Sequence, residues 1–189
     1  MTELQTRLRP VIDAVEARRA SGAFVVRSMD GMAAAGKTTA AKLLSALWDA
    51  PVVHMDDFFL PPALRTPERL SQPGGNVHYE RFSEEVLPAL TRGEAFSYRP
   101  FSCASMSYAP AIAVPKSGVT IVEGAYAMHP AFGDYAHVTA FFAIEPEEQK
   151  RRILLREAGK WEDFRTRWIP MEAAYHAAFQ IKEKADVVL

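Results

Sequence analysis

Residues Gly31-Met32-Ala33-Ala34-Ala35-Gly36-Lys37-Thr38 place two glycines, a lysine and a hydroxyl at the spacing of a phosphate-binding loop. The chemistry these residue types offer is the binding of a di- or triphosphate. Glycine at 31 and 36 lets the backbone approach an anion closely, Lys37 reaches the outer phosphates, and the Thr38 hydroxyl can ligate Mg²⁺. An apolar run, Ala23-Phe24-Val25-Val26, precedes the loop, and a helix-forming run from Thr39 to Trp48 follows it. A strand feeding such a loop and then a helix aims backbone N–H groups and the positive end of a helix dipole at one point. Gly31, Ala33, Ala34, Ala35, Gly36, Lys37, Thr38 and Thr39 are therefore expected to hold the phosphates of a nucleotide.

Other acids and bases fall where such a reaction would need them. His54-Met55-Asp56-Asp57-Phe58-Phe59 follows a second apolar run, which puts two carboxylates at the carboxyl end of a strand, the edge where open α/β sheets bind ligands. A carboxylate there could accept the proton of an attacking hydroxyl or hold metal-bound water. Asp56 is the candidate for the first role. Asp57 is expected to turn toward the loop backbone, the metal's water shell or the acceptor. The plainer alternative has Asp57 capping a turn and Asp56 solvating a loop. Val119-Thr120-Ile121-Val122-Glu123-Gly124 ends a β-rich run in an acid, and Glu123 is expected to serve the Mg²⁺ site together with Thr38.

Arg151, Arg152 and Arg156 follow Pro146 on a predicted helix, with Arg152 and Arg156 four apart on one face. From a lid, these two could stabilise a transferring phosphoryl group. The ordinary reading of such a run is a solvated face paired with Glu147, Glu148 and Glu157. Arg165 and Arg167 belong to the same argument with less support. Tyr98-Arg99-Pro100-Phe101 and Tyr108 could line an aromatic acceptor pocket or simply pack. His54, His78, His129, His137 and His176 lack zinc-ligand spacing and no serine sits in a Gly-x-Ser-x-Gly elbow, so metal-hydrolase and serine-hydrolase chemistry are not indicated.

The elements that must position these residues follow from the pattern of apolar runs. Leu4, Leu8, Val11, Ile12 and Val15 predict an amphipathic helix over about 1–21, with Pro10 either kinking it or starting its main segment. Short apolar runs then alternate with helical patterns, which predicts an α/β chain with a parallel sheet and helices on both faces. The interval from Asp57 to Glu80, punctuated by Pro61, Pro62, Pro67, Pro73, Gly74 and Gly75, is expected to be a functional loop with little room for a core element. At 189 residues the chain suits one domain, 1–189. Its formal charge of −1 offers no general cationic field for nucleic acid, and a small-molecule partner fits better. A lone Cys103, a charged N-terminus and no apolar segment near the ~18–20 residues of a membrane span lead to the expectation of a cytoplasmic protein with no membrane partner.

Taken together, the 31–38 loop, Asp56-Asp57-Phe58-Phe59, the Val122-Glu123-Gly124 strand end and the arginine-bearing helix resemble the uridine kinase-like branch of P-loop small-molecule kinases, which includes nicotinamide riboside kinases. The resemblance runs from about Phe24 to the carboxyl terminus. It implies a P-loop NTPase fold with a small helical lid at about 146–170, use of ATP and Mg²⁺, and phosphorylation of a hydroxyl on a nucleoside-like or other ribosyl metabolite. Asp56 would inherit the role of base, Thr38 and Glu123 the Mg²⁺ roles, and Arg152 and Arg156 those of lid arginines. The stretch from Pro73 to Phe82 is similar to the family's acceptor-side loop, which makes His78, Tyr79 and Arg81 candidate acceptor contacts beside Tyr98 and Arg99. Uridine kinases follow a Tyr-Asp-Phe segment with a His and an Arg that help read the pyrimidine. The stretch from Tyr98 to Met106 carries neither at that place, so uridine is expected to be a poor acceptor. The sequence ends at Leu189, where relatives continue into a loop beside the adenine, so base recognition is expected to be loose or supplied elsewhere. Rival readings are a kinase for a non-nucleoside acceptor such as pantothenate or a sugar, and a non-catalytic nucleotide-binding regulatory module. The guanine-reading Asn-Lys-x-Asp motif is missing, which disfavours a GTPase switch.

Overall fold

The structure, a computed structural model, describes residues 3–189. The first apolar stripe forms two helices, α1 (Glu3–Arg7) and α2 (Arg9–Arg19), with Pro10 in the first turn of α2. There its missing N–H is one the helix would leave unbonded anyway, so Pro10 starts a helix and does not kink one. Leu8, Val11 and Val15 are fully buried. Each contributes roughly 1.5–3 kcal/mol by burial, more than the ~1 kcal/mol of the side-chain cap that Leu8 cannot supply.

β1 (Val25–Gly31) runs through the phosphate-type loop into α3 (Lys37–Trp48), and β2 (Val52–His54) follows. Beyond the long loop lie α4 (Pro67–Leu70), α5 (Tyr79–Glu85) and α6 (Leu87–Leu90). α5 and α6 are separated at Val86, where the backbone reaches φ −112° just ahead of Pro88. Next come four short strands, β3 (Phe96–Tyr98), β4 (Phe101–Ser102), β5 (Ser107–Tyr108) and β6 (Ile112–Val114). They pair antiparallel, β3 with β6 and β4 with β5, into an arm that projects from the main sheet. The chain then forms β7 (Val119–Glu123), β8 (Val138–Phe142), α7 (Pro146–Glu157), α8 (Trp161–Asp163), α9 (Ile169–Phe179), α10 (Ile181–Lys184) and β9 (Val187–Val188). A π-helical turn, Phe164–Trp168, joins α8 to α9.

The main sheet has the order β2-β7-β1-β8-β9 and is parallel throughout. Side chains alternate along β1. Val25 and Met29 pack with Leu8, Val15 and Leu44 beneath α2 and α3, and Val26 packs with Phe82, Tyr135 and Tyr175 on the other face. Helices cover both faces, as the alternation of runs implies. No helix among the described residues is long and apolar enough to cross a membrane.

The 57–80 interval corrects the sequence reading. Phe58, Leu60 and Val77 are buried to 1% exposure or less. The two ends of the interval zip together: Leu60 N donates to Asn76 O at 3.1 Å and His78 N to Phe58 O at 2.6 Å, with a bridge between Phe59 and Val77. Because those backbone groups are satisfied within the loop, its apolar side chains can be buried at no cost in unpaired peptides.

Candidate active site

Three neighbouring strands deliver the chemical groups at their carboxyl ends. β1 ends at Gly31, where a Cβ would lie 2.3 Å from the Phe142 carbonyl oxygen of β8, so only glycine fits. Lys37 folds back along the loop, and its Nζ donates to Gly31 O at 2.7 Å and Met32 O at 2.9 Å. Thr38 Oγ1 donates to Glu123 Oε1 at 3.1 Å, across to the end of β7. Glu123 is 4% exposed and sits opposite Met29 on one side and His54 on the other. His54 Nδ1 lies 2.6 Å from Glu123 Oε1, and that hydrogen bond raises the histidine's pKa. At Gly124, with φ +135°, a Cβ would come within 2.9 Å of Met55. This close approach sets Glu123 beside the 3-10 turn Met55–Phe58 that carries Asp56.

A cleft of about 720 Å³ runs across these ends, lined by Gly36, Lys37, Thr38, Asp56 and Glu123 on the sheet side. Asp56 opens to cleft water, yet the protein mass around it withholds enough solvent to push its carboxyl above the ordinary range; Glu123 adds repulsion and Lys37 opposes. Arg152 and Arg156, on α7, line the opposite wall. Both arginines carry ion pairs of the kind a solvated face makes. Arg152 donates to Glu148 at 2.7 Å and also, through Nη1, to the Ala34 carbonyl at 3.2 Å. Arg156 pairs with Glu157 at 3.1 Å. A second cavity of about 380 Å³, lined by Arg18, His137, Thr139 and Asp186, lies at the amino ends of β8 and β9 and contains none of the loop residues. The carboxyl-end cleft is the one that open α/β sheets use for ligands.

Mg²⁺ suits this donor set. The described residues hold no cluster of three or more His, Cys, Asp or Glu able to cage a metal. Mg²⁺ commonly takes only one or two protein carboxylates and completes its shell with water and phosphate oxygens. The Thr38 hydroxyl and the Glu123 carboxylate, already in contact, are hard oxygen donors of that kind.

The acceptor candidates read from sequence are placed otherwise. Asp57 turns toward neither backbone nor cleft: its Oδ2 accepts the Tyr98 hydroxyl at 2.8 Å, and Tyr98 is itself buried. Burial raises the Asp57 pKa against that hydrogen bond. His78 Nδ1 accepts the Arg81 N–H at 3.3 Å and caps α5. Tyr79 stacks on His129, with the Arg69 guanidinium 3.9 Å from its ring centroid. Arg81 forms a two-pronged pair with Glu85, and Arg99 donates to the carbonyls of Tyr108 and Ala109. Asp57, His78, Tyr79, Arg81, Tyr98 and Arg99 therefore brace the wall and do not line the cleft. Asp57 meets Tyr98, and Arg81 meets the Arg99 carbonyl, because the arm packs against the 57–80 loop and α5, a juxtaposition no local pattern announces.

Several residues that line the cleft or hold the 31–38 loop beside it were passed over by sequence reasoning. Glu172 on α9 is buried, and its Oε2 accepts the Ala33 N–H at 2.8 Å, a contact between α9 and the phosphate-type loop. Burial raises its pKa. Gln149 Nε2 donates to Ala33 O at 2.9 Å, tying α7 to the same residue. Asn76, Tyr126, Phe59 and Trp168 also line the cleft. Tyr126 carries a readable signal, since it follows the Glu123-Gly124 strand end directly. Nothing local marks Glu172.

No protein-family model matches this sequence, and no curated protein does. Solved structures do. A protein described as a possible uridine kinase from Bacillus stearothermophilus is 16% identical, with a TM-score of 0.63 over 95% of this chain and 99% of that one. A provisionally assigned fructose transport system kinase from a Silicibacter species is 21% identical, with a TM-score of 0.69 over the full length of both chains. The protein TT1252 from Thermus thermophilus is 17% identical, with a TM-score of 0.54 over 88% of each chain. The chain thus has the α/β P-loop NTPase fold, in the form found in uridine kinase-like proteins.

Proposed function

We propose that residues 1–189 form one cytoplasmic domain that is an ATP-dependent, Mg²⁺-requiring kinase, with a lid at about 146–170, acting on a hydroxyl of a small nucleoside-like or ribosyl metabolite. The observation that carries this reading is the contact of Thr38 with Glu123 at the foot of the 31–38 loop, with Asp56 lining the same cleft. The acceptor hydroxyl oxygen attacks the γ-phosphorus, the bond from that phosphorus to the β–γ bridging oxygen breaks, ADP leaves, and the hydroxyl proton passes to the Asp56 carboxylate. Lys37 exchanges its loop carbonyls for phosphate oxygens. Thr38 and Glu123 would hold Mg²⁺, which when bound neutralises charge on the β- and γ-phosphates. Arg152 and Arg156 act on the transferring group and on closure of the cleft.

A sugar acceptor is the second reading. One neighbour of the same fold is described as a kinase of a fructose transport system, and the aromatic side chains lining the cleft suit a hydroxylated ring. Two measurements test the proposal. Calorimetry should show ATP bound by the parent and lost or strongly weakened in Lys37→Ala, with the melting temperature kept. A coupled ADP-release assay over sugars, ribosyl compounds, pantothenate and nucleosides should show acceptor-dependent turnover, with uridine among the poor acceptors. ATP binding unaffected by Lys37→Ala would remove the reading.

A further inference from the structure

The tip of the 31–38 loop is gripped by side chains of α7 and α9, the two helices on either side of the lid region. Three peptide planes link Met32 to Ala35, and two of them have both polar groups engaged. In the first, Met32 O accepts Lys37 Nζ while the Ala33 N–H meets Glu172 of α9. In the third, Ala34 O accepts Arg152 Nη1 of α7 while the Ala35 N–H donates back to Met32 O at 3.2 Å. The middle plane differs. Gln149 Nε2 of α7 holds the Ala33 carbonyl at 2.9 Å, and the Ala34 N–H has no partner among the described residues. A trans peptide points its C=O and N–H in opposite directions, so the grip of Gln149 fixes where that N–H points. Gln149 is 3% exposed and lies outside the cleft wall, whereas Ala34 is part of it. The Ala34 N–H is thereby turned away from Gln149 and into the cleft. Local preference opposes this arrangement, because Ala34 sits at φ +59°, the left-handed region that a Cβ disfavours. Turning the middle plane over would return Ala34 to negative φ, and the bond from Gln149 is the contact that resists it.

A loop N–H aimed into the cleft just ahead of a helix, with Lys37 nearby, suits a phosphate oxygen. We infer that Gln149 is a positioning residue: by holding the Ala33 carbonyl it turns the Ala34 N–H toward the phosphates of the nucleotide. The inference rests on the kinase reading above and deepens it by naming the side chain that sets the geometry of the loop tip. Gln149 and Arg152 lie one helical turn apart on α7 and hold successive carbonyls, those of Ala33 and Ala34. The loop tip and the first helix of the lid region are thus joined at two consecutive residues.

The test uses the full chain, calorimetry with MgATP and MgADP, and NMR of protein containing alanine labelled at its amide nitrogen. In the parent, either nucleotide should move the Ala34 amide proton downfield, as a hydrogen bond to an anion does. Gln149→Met keeps most of the volume and removes the donor. Gln149→Glu keeps the shape but offers an acceptor, which draws the Ala34 N–H toward α7 and away from the cleft. Each variant should bind MgATP about 10- to 100-fold more weakly, the worth of one hydrogen bond to a charged group, and should lose the downfield shift. Glycine takes up positive φ without the Cβ penalty, so adding Ala34→Gly to Gln149→Met should restore about threefold or more of the lost affinity. Damaged packing around position 149 would not be mended in that way. The inference is overturned if the Ala34 amide of the parent ignores both nucleotides, if Gln149→Met and Gln149→Glu bind MgATP as the parent does, or if Ala34→Gly restores nothing, which would leave Gln149 a packing residue. The two levels fail separately. A parent that binds no MgATP removes the kinase reading, whereas MgATP binding that the Gln149 variants leave intact overturns the positioning role alone.

Discussion

Along β1 the side chains alternate between two environments of opposite chemistry. Val25, Arg27 and Met29 face α2 and α3, where Leu8, Val11, Val15 and Leu44 supply an aliphatic layer. Val26, Ser28 and Asp30 face a layer of aromatic rings in which Ser28, Asp30, Tyr135 and Tyr175 make hydrogen bonds. Ser28 Oγ donates to Ala127 O at 3.1 Å, and Tyr135 OH donates to the same carbonyl at 2.6 Å. Asp30 accepts from Gly31 N, Tyr126 N, Met128 N and the Tyr175 hydroxyl at 2.6–3.2 Å. On the aliphatic face Arg27 is fully buried with no partner for Nε, Nη1 or Nη2, and burial pushes its pKa down. The first face holds the sheet by non-directional burial. The second fixes particular atoms, and through Asp30 it reaches both Gly31 at the loop and Tyr126 in the cleft wall.

Stability and function are thus divided across one sheet, and substitutions on the two sides should differ in kind. The largest effect is expected in the cleft, where Asp56→Asn removes the proposed base and should lower turnover by about 10²–10⁴-fold while ATP affinity stays near the parent's. The sign of the pH dependence follows from the raised Asp56 pKa. Activity falls as pH drops through that value, so the acid limb of kcat lies above the ~3.9 of an ordinary aspartate, and the limb should vanish in the residual activity of Asp56→Asn. Steady-state kinetics over pH checks both points. Parental turnover in Asp56→Asn would move the base elsewhere.

Next is the polar face. Asp30→Leu strips four donors of their acceptor in a buried site and should cost about 3–5 kcal/mol in denaturant unfolding, with Asp30→Asn costing less. Its counterpart on the aliphatic face runs the other way. Arg27→Met removes an unpaired buried cation while keeping most of its volume, and should stabilise by about 1–4 kcal/mol with turnover unchanged. If Arg27→Met destabilised the protein as Asp30→Leu does, the contrast between the faces would be wrong.

The smallest expected effect sharpens the boundary between the polar face and the loop. Glu172→Gln keeps a side chain able to accept from Ala33 N but deletes a negative charge near Lys37 and the expected phosphate site. ATP affinity should rise roughly 3- to 10-fold, the range a partly screened charge near an anion gives, and ADP affinity should rise less. Calorimetry with the two nucleotides measures the difference. Equal affinities in parent and variant would show that the Glu172 charge is not felt by the phosphates.

Legibility in the sequence followed the range of the interactions. The 31–38 loop and the helices after Gly36 and at Pro146 were readable because their hydrogen bonds close within a few residues, and the strands before the loop and at 119–123 because each is a short apolar run, although their ladder partners lie far along the chain. So was the presence of an acid at the end of β7, and of Asp56 just beyond β2. The 57–80 interval was misjudged because its prolines and glycines suggest an open loop, whereas Leu60 with Asn76 and Phe58 with His78 pair its two ends across a gap that periodicity does not register.

By itself the sequence determined the class of chemistry: a loop for phosphates, a hydroxyl and acids that can serve a metal and a proton, and an alternating pattern that makes a parallel sheet. Only the tertiary structure decided which of those groups share a cleft. Asp57 meets Tyr98, and Glu172 meets Ala33, through contacts 41 and 139 residues apart in the chain. In sequence Arg27 is one polar residue within an apolar run. Only the fold leaves it buried without a partner, because partners and solvent access are properties of packing and not of the local chain.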